Sequence, residues 1–470
     1  MNKIIGREVE KEELLSCYNS DNSEFLAVYG RRRVGKTYLI NTFFKDKFDF
    51  QLTGLANASF KEQLKNFNFA INKYSGVENN LAESWYDAFS QLIKLLEKKK
   101  SKKKVIFIDE LPWLDTRKSG FLTAFEHFWN GWAASRNDIL LIVCGSATSW
   151  MITRLINNRG GLHNRITRRI KLLPFNLKET EEYLNYNGIK WNRHQIIESY
   201  MIFGGIPYYL SLIKKGKSLS QTVDDLFFKQ NGILRDEYKN LYSSLFTNYE
   251  SYEKIVEALG KKSKGLSREE ILNHTGLSDG GGFSKMLEEL EQCDFIRKYN
   301  AIDKKLREGL YQLTDFYTLF YFKFVLQNSF KEENFWTTSI DSSQHRAWTG
   351  YAFEQVCMAH VHQIRKKLGI SGVQCKIASW RSKSSSPNVQ IDLVIERKDQ
   401  VINICEMKFS LNEFEINKSY SNSLINKLSS FRNETGTKSA VHLTMITTYG
   451  VKHNEYYDIV QSEVVAADLF

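Results

Sequence analysis

Gly30, Gly35, Lys36 and Thr37 stand in the spacing Gly-x-x-x-x-Gly-Lys-Thr, and the chemistry of that spacing is the gripping of a polyphosphate. The glycines let the main chain curl until successive N–H groups, carried through Arg31, Arg32, Arg33 and Val34, point inward at phosphate oxygens. Lys36 is placed to reach the β- and γ-phosphates, Thr37 to offer its hydroxyl to Mg²⁺, and Tyr38 continues into a helix whose N-terminus favours anions. The expected ligands are ATP and Mg²⁺. Further along, Asp109 and Glu110 follow a short apolar run; a carboxylate there can hold the metal and the next one can take the proton of an attacking water. Asp109 is read as the metal residue and Glu110 as the general base. Acids that merely cap the next helix are the plain alternative.

These residues need a sheet to position them. Phe25–Tyr29 reads as a buried strand ahead of the loop, with a helix from Tyr38 to Phe44 behind it. Val105–Ile108 and Asp138–Cys144 read as two more buried parallel strands, and from residue 1 to about 175 apolar strands alternate with amphipathic segments. The second of these strands delivers Ser146 at its carboxyl end, where ligands of open α/β sheets collect. Ser146 is a candidate to sense the γ-phosphate or orient water, with a helix N-cap as the open alternative.

Ile5-Gly-Arg-Glu-Val-Glu-Lys-Glu-Glu-Leu14, the Tyr29–Thr37 loop, Ile-Asp-Glu-Leu-Pro-Trp113, Cys144-Gly-Ser-Ala147 and Phe-Gly-Gly-Ile-Pro-Tyr-Tyr-Leu210 occur in an order that resembles the archaeal-type ATPase family within the AAA+ and STAND-like NTPases. The resemblance implies an adenine-contacting box near Ile5 to Arg7 and a helical lid beginning near Gly204. It also implies an arginine after the sensor strand that acts across a subunit interface, which leaves room for a homo-oligomer. Arg165 holds that place, though Asn164 precedes it where the family has Gly. Tyr208 stands where the family carries a lid arginine, so a lid-borne sensor arginine is not expected.

From about Tyr249 the texture becomes a helix, a capping-box start at Ser267-Arg-Glu-Glu270, a second helix over Phe283–Leu290 and two short strands, which reads as a winged helix-turn-helix. Its candidate recognition helix carries Glu288, Glu289 and Glu291 against Lys285, a poor match to a phosphate-lined groove, so a structural or docking module is favoured over DNA reading.

A second constellation closes the chain. Gln390–Glu396 and Val401–Lys408 read as a hairpin across a polar turn, with Glu406 and Lys408 on one face and Asp392 able to converge with them; Glu354 lies upstream on an amphipathic helix. Asp, thirteen residues, then Glu-x-Lys with a helical Glu before them resembles the PD-(D/E)XK nuclease superfamily. That resemblance implies metal-assisted phosphodiester hydrolysis, with Glu354, Asp392 and Glu406 holding Mg²⁺ and Lys408 orienting or deprotonating the water. Ile391 replaces the Pro of the pattern. A surface hairpin with a salt-bridged Glu and Lys is the alternative.

The 470 residues suggest about three domains, and the formal charge of +11 permits nucleic-acid attraction without requiring it. The basic run Lys98–Lys104 is read as a cationic helix end rather than a binding patch. Six scattered cysteines without a Cys-x-x-Cys pair argue against zinc or a disulfide framework, and His360 and His362 are spaced to face apart. With neither an apolar membrane span nor a signal-peptide pattern, the expected place is the cytoplasm. The fold class expected is α/β: a P-loop NTPase parallel sheet at 1–180, a helical lid at 181–245, a winged helix at 246–325 and a restriction-endonuclease-like α/β domain at 326–470. The expected function is an ATP-binding ATPase coupled to a Mg-dependent nuclease acting on nucleic acid, DNA foremost, with no membrane partner. The alternative is a nucleotide-controlled signalling or interaction switch whose tail binds a partner or DNA without cutting it.

Overall fold

The computed structural model describes residues 3–146, 148–158, 160–246, 248–262, 265–299, 309–328, 332–340, 342–382 and 389–470. The chain packs as two compact units, Met1–Pro174 and Phe175–Phe470.

In the first unit five parallel strands, β1 (Glu24–Tyr29), β2 (Phe48–Thr53), β3 (Lys104–Asp109), β4 (Ile139–Gly145) and β5 (Arg168–Lys171), form one sheet in the order β2-β3-β4-β1-β5. Every residue of β3 and β4 is buried, as their continuous apolar runs require when helices cover both faces. Helices Phe60–Ser75 and Trp85–Lys98 each start in a reciprocal capping box, Ser59 with Glu62 and Ser84 with Asp87, and bury Phe67, Trp85 and Phe89 beside Phe121 and Phe125. Each such aromatic, fully withdrawn from water, contributes roughly 2–3 kcal/mol.

The basic run departs from its expected role at its far end. Lys98 does close the helix, but Lys103 and Lys104 are buried. Lys103 Nζ donates to the carbonyls of Ser20 and Asn137 at 2.7 and 3.2 Å, and Lys104 Nζ pairs with Asp138 at 2.6 Å. Asp138 also takes Arg136 Nε at 2.7 Å, and the Arg136 and Lys104 donors hold its carboxyl well below the usual carboxylate range despite partial burial. Its side chain therefore clamps the entry to β4, which begins one residue later than the apolar pattern suggests.

The second unit opens with helices Leu177–Tyr186 and Arg193–Phe203. Helices Tyr249–Gly260, Arg268–Thr275 and Gly281–Gln292 follow, then the antiparallel ribbon β6 (Ile296–Tyr299) and β7 (Leu310–Leu313), which Leu266 extends by an isolated bridge to Tyr311. A second five-stranded sheet, β8 (Cys375–Arg381), β9 (Gln390–Arg397), β10 (Val401–Lys408), β11 (Ala440–Thr447) and β12 (Ser462–Val465), runs in the order β12-β11-β10-β9-β8. β8 and β10 each pair antiparallel with β9, while the β10–β11 and β11–β12 pairings are parallel. Helices Ser343–Ala359 and Lys418–Thr435 belong to the same unit. His360 is buried between helices rather than on one: its Nε2 accepts from Leu177 N at 3.0 Å, its Nδ1 lies 2.8 Å from Val356 O, and burial pulls its pKa down to about 4. Both ring nitrogens are thus engaged with backbone.

Candidate functional sites

The loop after β1 has the backbone that its glycines permit. Gly30 sits at φ +143° and Gly35 at φ +90°, both in the region that favours glycine. A Cβ on Gly30 would lie 2.3 Å from Leu172 O, so the strand end itself forbids a side chain there. Lys36 is buried, with Nζ donating to Gly30 O at 2.8 Å and Arg31 O at 2.9 Å. The ammonium thus closes the loop on its own carbonyls.

The loop and the acids meet across the sheet although β4 separates β1 from β3. Thr37 Oγ1 donates to Asp109 Oδ2 at 2.8 Å, and Glu110 N donates to Asp109 Oδ1 at 3.0 Å. A hydroxyl and a carboxylate side by side offer the oxygen donors that a hard divalent cation takes. Glu110 stands at φ +48°, and its Oε2 accepts from Ser146 N at 3.0 Å and Ser146 Oγ at 2.9 Å. The intervening strand thus delivers the hydroxyl that turns the second acid; neighbouring Ala147 lies outside the described residues. Arg165 is exposed on the segment before β5, while Arg32 and Arg33 are half-buried and Arg31 and Val34 buried. Two contacts went unread in the sequence: Arg7 Nη2 donates to Val34 O at 3.4 Å and Tyr38 Oη to Lys3 O at 3.2 Å, laying the N-terminal segment against the loop.

In the second unit Asp392 and Glu406 lie on adjacent strands, one step beyond the Leu393–Cys405 pair, and Glu354 faces them from helix Ser343–Ala359. Burial and then the Asp392 charge push the Glu354 carboxyl up to about 8, against the opposing pull of Lys408. Asp392 Oδ1 accepts from Gln390 Nε2 at 2.7 Å. Glu406 is enclosed by donors: Lys408 Nζ at 3.0 Å on Oε1, Lys427 Nζ at 2.6 Å on Oε2, and the Tyr420 hydroxyl. Burial would raise its pKa, but the two lysines and the phenol outweigh it and hold the carboxyl below the usual range. All four residues read from the sequence therefore share one locality. Among the described residues, however, no group of three or more His, Cys, Asp or Glu is arranged to hold a metal ion, and Lys427 pairs with Glu406. Tyr420 and Lys427 were missed. Their signal was present: seven residues apart on a helix, they share a face.

A parallel sheet with a glycine-shaped phosphate loop, a Thr–Asp contact and a serine-held Glu at its carboxyl edge is the α/β arrangement of a P-loop nucleotide-binding fold. Residues 4–213 match the family described as an ATPase domain predominantly from Archaea. The uncharacterized protein MJECL04 of Methanocaldococcus jannaschii is 25% identical over 422 residues, 89% of this chain and 90% of that protein. That similarity spans parts of both units. The Walker-type ATPase PABY2304 of Pyrococcus abyssi shares the fold at TM-score 0.50 and 18% identity, over 68% of this chain and 96% of that structure. No described helix is long and apolar enough to cross a membrane.

Proposed function

We propose that this protein binds ATP in the Gly30–Tyr38 loop and hydrolyses it, and that its C-terminal part carries a metal-dependent phosphodiesterase site acting on nucleic acid, DNA foremost. The observation that carries the first half is the 2.8 Å contact between Thr37 Oγ1 and Asp109 Oδ2, since it puts the loop's hydroxyl and a strand-end carboxylate at one point. Thr37 and Asp109 are the residues that would hold Mg²⁺, which would supply charge neutralisation to the phosphates. Lys36 exchanges the carbonyls of Gly30 and Arg31 for phosphate oxygens. Glu110, oriented by Ser146, takes the proton of the attacking water, and exposed Arg165 serves a neighbouring copy in a homo-oligomer. On this reading residues 1–180 are the core, 181–245 a lid, 246–325 a winged helix and 326–470 a nuclease-like domain, in a protein of the cytoplasm.

The second half is supported by the convergence of Glu354, Asp392, Glu406 and Lys408. Glu354, Asp392 and Glu406 would be the oxygen donors for Mg²⁺, and Lys408 would orient the water. Purified protein should release phosphate from ATP in Mg²⁺, and Glu110→Gln should reduce that at least about tenfold. It should also nick DNA in Mg²⁺, and Asp392→Ala or Lys408→Ala should abolish the nicking. Phosphate release equal in Glu110→Gln would remove the base assignment, and no nicking on any DNA or RNA form would remove the phosphodiesterase half.

A second reading is a nucleotide-controlled interaction switch whose tail binds a partner or DNA without cutting it. The enclosure of Glu406 by Lys408, Lys427 and Tyr420 favours it. It requires a nucleotide-dependent change in assembly that survives Glu406→Ala.

A further inference from the structure

The β6–β7 ribbon reaches the acid pocket. A cavity of about 30 Å³ beside Glu354 and Asp392 is also lined by Tyr299 and Gln312 of the ribbon, by Gln355 of the Glu354 helix and by Arg381 of β8. That is room for about two waters or a small hydrated group, not for a nucleobase. A group that reaches the two carboxyls through this opening lies beside Tyr299 and Gln312 of the ribbon.

Arg297 fixes the ribbon to the helix that carries Glu354. Its Nη2 donates to Gln355 Oε1 at 3.0 Å and Gln312 Oε1 at 3.3 Å, as well as to the Tyr299 hydroxyl, and its guanidinium lies 4.6 Å over the Tyr299 ring. One donor remains: Arg297 Nε is buried with no hydrogen-bond partner among the described residues, and so is the Oε1 acceptor of Gln390, whose amide holds Asp392. Gln390 lines the cavity, and its unmet acceptor is one that a polar ligand there would satisfy.

We propose that Tyr299, held in place by Arg297, is a substrate-contacting residue of the acid site, its hydroxyl donating to a non-bridging oxygen of the phosphodiester beside Glu354 and Asp392. The inference rests on the phosphodiesterase reading and deepens it: the ribbon and the β9–β10 hairpin bind the same phosphate, with Arg297 as positioning residue.

The test uses the full chain and fluorescein-labelled single- and double-stranded DNA oligonucleotides. Anisotropy in Ca²⁺ reports binding, nicking in Mg²⁺ reports turnover, and melting reports folding. Tyr299→Phe, which removes one oxygen, should weaken binding about five- to tenfold and slow nicking by at least as much at unchanged melting temperature. Arg297→Ala should do the same, and Arg297→Lys should recover part of the loss. If Tyr299→Phe binds and nicks like wild type while Asp392→Ala is inactive, the inference is wrong and the phosphodiesterase reading stands. If wild type never nicks but binds DNA, the dependence of that binding on Tyr299 decides the contact alone. Failure to bind either oligonucleotide overturns both.

Discussion

Glu354→Gln offers a direct reading of how the acid pocket is built. In the unfolded chain a glutamate titrates near 4.5; in the fold, burial and the Asp392 charge move Glu354 to about 8. Between those values the folded protein holds a proton that the unfolded chain has lost. Wild-type stability therefore falls as pH rises from about 4.5, and the fall levels off above about 8. At about 1.4 kcal/mol per unit the shift has a ceiling of about 5 kcal/mol. Water reaching the partly exposed carboxyl and relaxation of Asp392 bring the expected effect to about 2–3 kcal/mol. Glutamine reproduces the protonated acid and does not titrate. In chelator-containing buffer, denaturant unfolding followed by tryptophan fluorescence should find variant and wild type within about 0.5 kcal/mol at about pH 5, with the variant more stable by about 2–3 kcal/mol at about pH 9. A difference that is the same at both pH values would refute the electrostatic account of the pocket.

Gly30→Ala should cost about 2–4 kcal/mol and abolish ATP binding, since its Cβ would meet Leu172 O at 2.3 Å on a backbone closed to L-residues; thermal melting and nucleotide titration check both. Lys427→Met should destabilise the second unit by about 2 kcal/mol by leaving buried Glu406 with Lys408 as its one remaining cation, and a preserved melting temperature would count against it. Mixing Arg165→Ala with Lys36→Ala protein should restore part of the ATP turnover that each lacks, if exposed Arg165 acts across a subunit interface; no restoration counts against that role.

The parallel sheet was legible because β1, β3 and β4 are largely apolar runs that end in chemistry-bearing residues, and the hairpin because two apolar-rich runs, Gln390–Arg397 and Val401–Lys408, flank a polar turn. The spacing of Gly30, Gly35, Lys36 and Thr37 located the phosphate loop without knowledge of the sheet. What stayed hidden depends on contacts between distant segments. Arg7 touches Val34 although helix Glu8–Asn19 and β1 separate them along the chain, and Ser146 reaches Glu110 only because β4 lies beside β3. Lys103 and Lys104 read as part of a cationic helix end because the carbonyls of Ser20 and Asn137 and the Asp138 carboxylate that receive them belong to other segments. Tyr420 and Lys427 lie on a helix that the sequence pattern did not connect to Glu406, which they reach only in the fold.

The central claim is that the Gly30–Thr37 loop with Asp109 grips a triphosphate and its metal. Equilibrium titration of a fluorescent ATP analogue, with and without Mg²⁺, on wild type and folded Lys36→Ala tests it most directly. Saturable, Mg²⁺-strengthened binding to wild type that Lys36→Ala loses is the expected result; no binding to well-folded wild type, or equal binding by the two proteins, would contradict it.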